Sequence, residues 1–281
     1  MKKALFNKIS VIQSLADGEL HTGTKVKDDI KLYNFAYKRD LQIEFFEANK
    51  IKDFFGILKK LKVDALNDGS FPVLHIEAHG SSDMQGLVLQ SNDFISWTDL
   101  KPYLIDLNVA TRLNLLVVFS LCYGAHFTRH LNPPDRAPCW GLIGPTKALG
   151  GSELLISFSA FYKEVFASGS GGDAVEELNA SSPKGDINYF FTTASSFFVN
   201  VYKNYLKKHC TKKAYDDRAR AMRKKLKKSD LEKIPSISEI RRKLKSTQKE
   251  FFENYRTKYF MIDLFPENNG RFKVAYQDIV K

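Results

Sequence analysis

Cysteine and long apolar runs are what this sequence has least of. It holds only three Cys in 281 residues, a sparse and odd set that fits a reducing compartment better than a disulfide scaffold. No stretch approaches the roughly 18 to 20 consecutive apolar residues that span a bilayer, so no transmembrane segment is predicted. Residues 1–8 are basic but lack the apolar run and small-residue cleavage site of a secretory signal. We therefore expect a cytoplasmic protein.

Internal repeats and low-complexity segments are also missing. Instead, 43% of the residues are hydrophobic, and the 22 Phe and 12 Tyr argue against a disordered chain, because such chains lack the apolar mass that offsets ordering entropy. A chain of this length can bury a sizeable core, and it predicts one large domain or a domain with an extension.

The positive charge is concentrated in one region. Residues 203–258 contain 20 Lys and Arg against seven Asp and Glu, an excess of 13, and since the whole chain has a net charge of +11, the remainder carries −2. Basic helices attract phosphates, acidic proteins or anionic membranes, so nucleic acid or an acidic partner could bind through 203–258. The alternative is a solvated face that aids solubility. No motif that reads a nucleic-acid sequence is present.

Strand-like and helix-like segments alternate in the first half of the chain, and helices dominate after residue 150. Strands are predicted at 41–48, 71–79, 113–122 and 139–148, a small hairpin at 86–97, and helices at 50–62, 98–108, 152–168, 173–179, 187–208, 212–228 and 236–260. This alternation predicts an α/β fold with a mostly parallel central sheet flanked by helices. We expect a domain over 1–200 and a basic, mostly helical extension over 201–281 packed on it.

Three ionisable residues alternate along the predicted strand at 71–79. His75, Glu77 and His79 would share one face of that strand, and His79 is followed by Gly80 where the strand ends. Open α/β sheets place their sites at the carboxyl ends of their strands. His79 is therefore the first candidate for a functional side chain.

The apolar run at 113–122 ends in a similar way, with Cys122 two residues before a glycine. If the two predicted strands are parallel neighbours, His79 and Cys122 meet at one edge of the sheet. A neighbouring imidazole gives a cysteine thiolate character and can later protonate a leaving amine. The N–H groups of Gly80 and Cys122 could then stabilise a tetrahedral oxyanion.

The order of these segments resembles that of the caspase-like cysteine peptidases. Over residues 40–180, "HIEAHG" is followed by "GLVL", "FISWTDLKPYL", "NLLVVFSLCYG" and "GLIGPTKAL". This order is similar to that of the clan of caspases, separases and gingipains, and nearest to its bacterial CHAT-like members. The resemblance implies a three-layer caspase-like sandwich, with His79 as general base and acid, Cys122 as nucleophile and Gly80 in the oxyanion hole. Leu121 departs from caspases, which carry Ala or a similarly small residue there, and cleavage after Asp is not implied.

The same resemblance implies a function. It implies limited cleavage of a protein substrate without a cofactor, in bacterial defence or regulated cell death, with a gasdermin-like pore-former as one substrate. The competing hypothesis comes from another class. It is a catalytically silent caspase-like binding module, recruited through its basic helices to nucleic acid or an acidic partner.

Other interpretations of the candidate residues stay open. Zinc could bind the polar face of the strand at 71–79, or Cys122 with His126 and His130 at helical spacing. Because Cys122 ends a predicted strand, it does not share a helix face with His126 and His130. No metal site is therefore predicted. An inert buried thiol is the alternative for Cys122.

Three further residues have less defined roles. His75 or Glu77 could orient His79 by hydrogen bonding, although half-exposed strand polarity explains both equally well. Asp83, on the loop that follows, could face a substrate, or it is an ordinary solvated loop residue.

Overall fold

The protein forms two compact units. The computed structural model describes residues 6–132, 134–182, 188–228 and 233–280. Within these ranges the larger unit comprises 6–131 and 137–194, and the smaller unit comprises 132–136 and 195–280. None of the helices formed by these residues is long and apolar enough to cross a membrane. Parts of the predicted domain at 1–200 and of the basic segment at 203–258 lie outside the described residues.

A six-stranded sheet is the centre of the larger unit. The strands of this unit are β1 (Lys8–Gln13), β2 (Gln42–Glu47), β3 (Pro72–Glu77), β4 (His79–Gly80), β5 (Gly86–Val88), β6 (Phe94–Ser96), β7 (Leu116–Ser120), β8 (Gly141–Pro145) and β9 (Tyr189–Thr193). The sheet has the order β2-β1-β3-β7-β8-β9, in which only β9 is antiparallel to its neighbour. The predicted α/β class with a mostly parallel sheet is confirmed.

Helices cover both faces of this sheet. They are α1 (Thr22–Ala36), α2 (Ile51–Asp68), α3 (Trp97–Ala110), a 3-10 helix (Gly124–His130), α4 (Gly151–Ser168) and α5 (Gly171–Ala180). One core joins Val118 of β7 to Val26 of α1 and Phe158 of α4. The next residue of β7, Phe119, points to the opposite face because side chains alternate along a strand. There it contacts Trp97 at the start of α3, with ring centroids 5.2 Å apart.

The remaining strands of the unit form a small antiparallel sheet in the order β4-β5-β6. Gly86 of β5 lies opposite Ser96 of β6, and Asn92 in the connecting turn adopts a left-handed conformation with φ 65°. Asn tolerates this region better than most residues, which suits it to a hairpin turn. The predicted hairpin is confirmed.

The smaller unit is helical and has an aromatic core. Its helices are α6 (Ala194–His209), α7 (Lys212–Leu226), α8 (Ile237–Ser246), α9 (Gln248–Tyr259), α10 (Asn268–Arg271) and α11 (Tyr276–Val280). The ring of Phe198 in α6 lies 5.7 Å from that of Phe252 and 5.2 Å from that of Phe260, centroid to centroid. The sequence-based boundary at residue 200 falls inside α6.

Two predicted helices differ from the structure. The segment predicted as a helix over 187–208 begins with strand β9, because its run of aromatic and β-branched residues fits an edge of the sheet. The segment predicted as one helix over 236–260 is divided at Thr247 into α8 and α9. Neither β1 nor α1 was predicted from the sequence.

Candidate active site

The carboxyl ends of β3 and β7 lie side by side. The two strands are parallel neighbours, with Glu77 opposite Ser120. His79 and Cys122 each follow two residues later in the chain. The predicted pairing of these strands is therefore confirmed, and both candidate residues leave the sheet at the same edge.

Gly80 makes a close contact with Cys122. A Cβ on Gly80 would overlap the carbonyl oxygen of Cys122 and lie 2.6 Å from its carbonyl carbon and 3.0 Å from its Cα. Only glycine fits at this position without displacing the chain. The contact is thus one of backbone atoms, between Cys122 and the glycine that follows His79.

The His79 side chain is held from the loop that follows β1. Its Nε2 lies 2.9 Å from Oε1 and 3.1 Å from Oε2 of Glu19. The same carboxylate accepts the N–H of Ala16 at 2.7 Å. This backbone hydrogen bond, followed by the bond and charge of His79, lowers the pKa of Glu19 below its ordinary value of 4.5. Glu19 therefore stays ionised at neutral pH.

This hydrogen bond selects one tautomer of His79. An ionised carboxylate only accepts hydrogen bonds, so Nε2 must carry the proton that it donates to Glu19. In the neutral ring, Nδ1 is then the nitrogen with a lone pair. The arrangement leaves Nδ1 as the basic atom of the imidazole.

Cys122 lies in the turn between β7 and the 3-10 helix, and it is half-buried. Its thiol donates to the carbonyl of Leu149, with Sγ and oxygen 3.6 Å apart. The next residue, Tyr123, has φ 61°, a left-handed conformation that is uncommon for a bulky side chain. Such backbone conformations persist where the surrounding structure imposes them and cluster at functional sites.

The backbone N–H of Gly80 is not used by the small sheet. Ser81 donates its N–H to the carbonyl of Gly86, which makes Gly80 and Leu87 a pair that exchanges no hydrogen bonds. In such a pair the N–H points away from the partner strand. The Gly80 N–H therefore points away from β5.

His75 and Glu77 are buried and contact each other, not His79. His75 Nε2 lies 2.9 Å from Glu77 Oε1, and His75 Nδ1 lies 3.0 Å from the hydroxyl of Tyr162 in α4. Burial and the charge of Glu77 raise the pKa of Tyr162 well above its ordinary range, so the hydroxyl remains a donor. The expected common face does not form, because β3 ends at Glu77 and His79 belongs to a different sheet.

This buried pair fastens the start of α1. The hydroxyl of Thr22, the first residue of α1, donates to Glu77 Oε2 at 2.7 Å. Gly23 packs so closely that a Cβ would lie 3.0 Å from both Gln13 Oε1 and Glu77 Cγ. The network therefore holds the loop between β1 and α1, and with it Glu19.

Asp83 lies on the exposed turn after β4. Its Oδ1 accepts the N–H of Gln85 at 3.0 Å. Hydrogen bonds from Ser81 and from Gln85 lower its pKa below the ordinary value of 3.8. Asp83 is thus engaged in shaping its own turn.

The residues considered as zinc ligands are not grouped around a common point in the described part of the chain. His126 and His130 lie on the 3-10 helix, and desolvation lowers the pKa of both rings, as do the nearby positive charges of Arg129 and, for His130, Lys101. Within 6–132, 134–182, 188–228 and 233–280, no three His, Cys, Asp or Glu side chains are grouped as metal ligands would be.

Glu19 is the residue of this site that the sequence did not indicate. It lies on an exposed loop, and its role depends on the placement of β1 next to β3. Because β1 is parallel to β3, the loop after β1 emerges at the same edge as His79. If residues 8–13 had been predicted as a central strand, Glu19 would have been a candidate as well, because it follows the carboxyl end of that strand.

Two comparisons with known proteins found no relative of this chain. No protein-family model matches the chain, and a search of the curated proteins finds no match. The functional assignment therefore depends on the geometry and on the order of segments along the chain.

Proposed function

We propose that the protein is a cysteine endopeptidase with His79 and Cys122 as its catalytic dyad. The observation that carries the proposal is the backbone contact between Gly80 and Cys122 at the joint carboxyl end of β3 and β7. It brings an exposed imidazole and a half-exposed thiol to one edge of the sheet. The resemblance in segment order to caspase-like peptidases supports the same assignment.

The chemistry follows from the atoms at this edge. The Cys122 thiol leaves the Leu149 carbonyl and passes its proton to Nδ1 of His79, and the thiolate attacks the substrate carbonyl carbon. The oxyanion accepts hydrogen bonds from the N–H groups of Gly80 and Cys122. His79 then protonates the leaving amine as the C–N bond breaks. A water molecule deprotonated by His79 hydrolyses the thioester and regenerates the thiol.

Glu19 has a positioning role in this scheme. By accepting from Nε2 it keeps the imidazole in the tautomer that is basic at Nδ1, and its negative charge stabilises the imidazolium formed after proton transfer. The His75–Glu77 pair acts one step further away, by holding the start of α1.

The substrate class comes from the resemblance alone. We infer a protein cut at one or a few sites, in the manner of bacterial caspase-like peptidases that activate an effector such as a gasdermin-like pore-former. A defence or regulated-death role is part of the same inference.

The test is cleavage by purified protein. Wild type, Cys122→Ala and His79→Ala are incubated with a cell proteome and with proteins encoded beside the gene, and new N-termini are mapped by mass spectrometry. We expect new termini with wild type and none with either variant. Cys210→Ala, which removes another half-exposed thiol, is the matched control and should cleave normally. Cleavage that persists in Cys122→Ala would overturn the proposal.

The binding-module hypothesis predicts the opposite pattern. Under it, Cys122→Ala leaves the biological effect intact, whereas charge reversal at the basic positions of 218–228 abolishes partner capture. Measuring both variants in the same assay separates the two functions.

A further inference from the structure

A large cavity opens in the smaller unit. Its volume is about 730 Å³, and its walls come from α6, α7, α8, α9 and α11, all within that unit. Small-molecule sites have volumes of roughly 300 to 1,000 Å³. The lining residues that define its chemistry are Lys203, Lys207, Cys210, Tyr215, Lys245 and Tyr276.

The charged side chains that line this cavity, among the described residues, are positive. In the part of the chain that the structure describes, its lining residues include three lysines and neither Asp nor Glu. Lys203, Lys207 and Lys245 form no ion pair with any residue that the structure describes. Elsewhere in the unit, basic side chains do find acidic partners, as Arg241 does with Asp216 at 2.7 Å. A cavity of this kind favours a ligand that brings several negative charges.

Aromatic side chains supply the second part of the site. The buried ring of Tyr215 has the Arg218 guanidinium 4.8 Å and the Lys245 ammonium 5.7 Å from its centroid, which holds positive charge at the cavity wall. Tyr276 is half-buried and packs on Phe252, 5.5 Å between centroids. Burial raises the pKa of both tyrosines, so neither adds a negative charge at neutral pH.

We propose that this cavity binds a nucleotide, with Lys203, Lys207 and Lys245 on the phosphates and Tyr276 stacked on the base. The proposal is independent of the peptidase function. Clustered lysines neutralise phosphates, and an aromatic face accepts any base. A volume of about 730 Å³ fits a mononucleotide or a short oligonucleotide, whereas a duplex binds across a more extended surface.

The first test is titration calorimetry of the full chain with ATP and, separately, with inorganic triphosphate. Tyr276→Leu keeps apolar volume but removes the stacking face, so we expect ATP affinity to fall about tenfold and triphosphate affinity to stay unchanged. Loss of two charged contacts in the double variant Lys203→Gln/Lys245→Gln should weaken both ligands about 100-fold.

The matched control removes the same charge from elsewhere in the unit. Lys224 and Lys225 are exposed on α7 and do not line the cavity, so Lys224→Gln/Lys225→Gln should leave ATP affinity within about twofold of wild type, because only distant, screened charges are lost. An equal loss of affinity in this control would overturn the proposal. Triphosphate binding as tight as ATP binding would also overturn it, since that result identifies a polyanion surface.

A second measurement needs no variant. Cys210 lines the cavity and Cys122 does not. Saturating ATP should slow iodoacetamide labelling of Cys210 at least about tenfold, as occupancy excludes the reagent, and leave Cys122 labelling unchanged. No ATP binding, or labelling of Cys210 at the same rate with ATP bound, contradicts the proposal.

Discussion

Glu19 and His79 lie 60 positions apart in the sequence, and their side chains share a hydrogen bond of 2.9 Å. The bond joins the loop after β1 to the first residue of β4. It sets which ring nitrogen carries the proton, so a residue outside the predicted dyad controls the basic atom of that dyad.

Removing the charge of Glu19 should slow cleavage. Glu19→Gln loses a solvent-exposed, charge-assisted hydrogen bond worth up to about 1 kcal/mol, so we expect kcat/KM to fall roughly fivefold with little change in stability. Asp17→Asn, on the same loop, is the control and should retain full activity. A Glu19→Gln enzyme as active as wild type between pH 5 and 9 would show that Glu19 does not position His79.

The pKa of Glu19 adds a pH criterion. Because the folded pKa lies below the ordinary value of 4.5, the contribution of the carboxylate is present above that value and is lost as the pH falls through the folded pKa. Any decline of activity that depends on Glu19 should therefore appear only below pH 4.5. A decline that begins at pH 6 and vanishes in Glu19→Gln would contradict this assignment.

Gly80→Ala should damage the site more than the fold. The new Cβ must displace the Cys122 peptide, so we expect a loss of about 1 to 3 kcal/mol in unfolding free energy. Misplacing the reacting groups by about 1 Å should cost about 100-fold in kcat/KM. Gly56→Ala in α2, where a Cβ meets nothing within 4 Å, is the matched control and should be neutral or stabilising. Wild-type activity in Gly80→Ala would refute the role of this contact.

Tyr162→Phe should lower the stability of the protein. The change leaves His75 Nδ1 without its partner inside the core, at a cost of about 1 to 3 kcal/mol in denaturant unfolding. Tyr33→Phe is the control, since the Tyr33 hydroxyl makes no hydrogen bond among the described residues although its ring packs on the same core. Equal unfolding midpoints for the two variants would show that the His75 contact contributes nothing.

The three thiols should differ in reactivity. Burial raises the pKa of Cys139 to about 12, so it remains a protonated thiol until the pH approaches that value. We expect iodoacetamide to label the half-exposed Cys122 and Cys210 at pH 8 and to leave Cys139 unmodified until the protein unfolds. Peptide mass spectrometry measures each site, and fast labelling of Cys139 in folded protein would contradict its burial.

The parts of the fold that the sequence predicted are those with a simple pattern. β7 is a continuous apolar run, and the hairpin of β5 and β6 is bounded by turn residues. β1 has no such pattern, because Lys8, Ser10 and Gln13 interrupt it, yet all six of its residues are buried. Lys8 is accommodated by Glu44, 3.2 Å away on the neighbouring strand β2. The burial of Lys8 depends on this ion pair with another strand, and the sequence of β1 alone does not show it.

In the candidate site, too, the residues that the sequence predicted are those that follow a simple pattern. That His79 and Cys122 leave the sheet at the same edge follows from two strand ends that the sequence displays. Glu19 depends on β1, so it could not be predicted before β1 was placed. His75 and Glu77 were expected beside His79 because a single strand was assumed to run through Ala78, where the chain in fact passes to a second sheet.

The interior position of β1 also decides which fragments of this protein can be studied alone. The resemblance to peptidases begins near residue 40, which invites an expression boundary at that point. A fragment starting there would lack β1, which pairs with β2 on one side and β3 on the other. Two unpaired strand edges would then be exposed, and such edges promote aggregation. We therefore expect a truncation that folds to retain the chain from Lys8 onward.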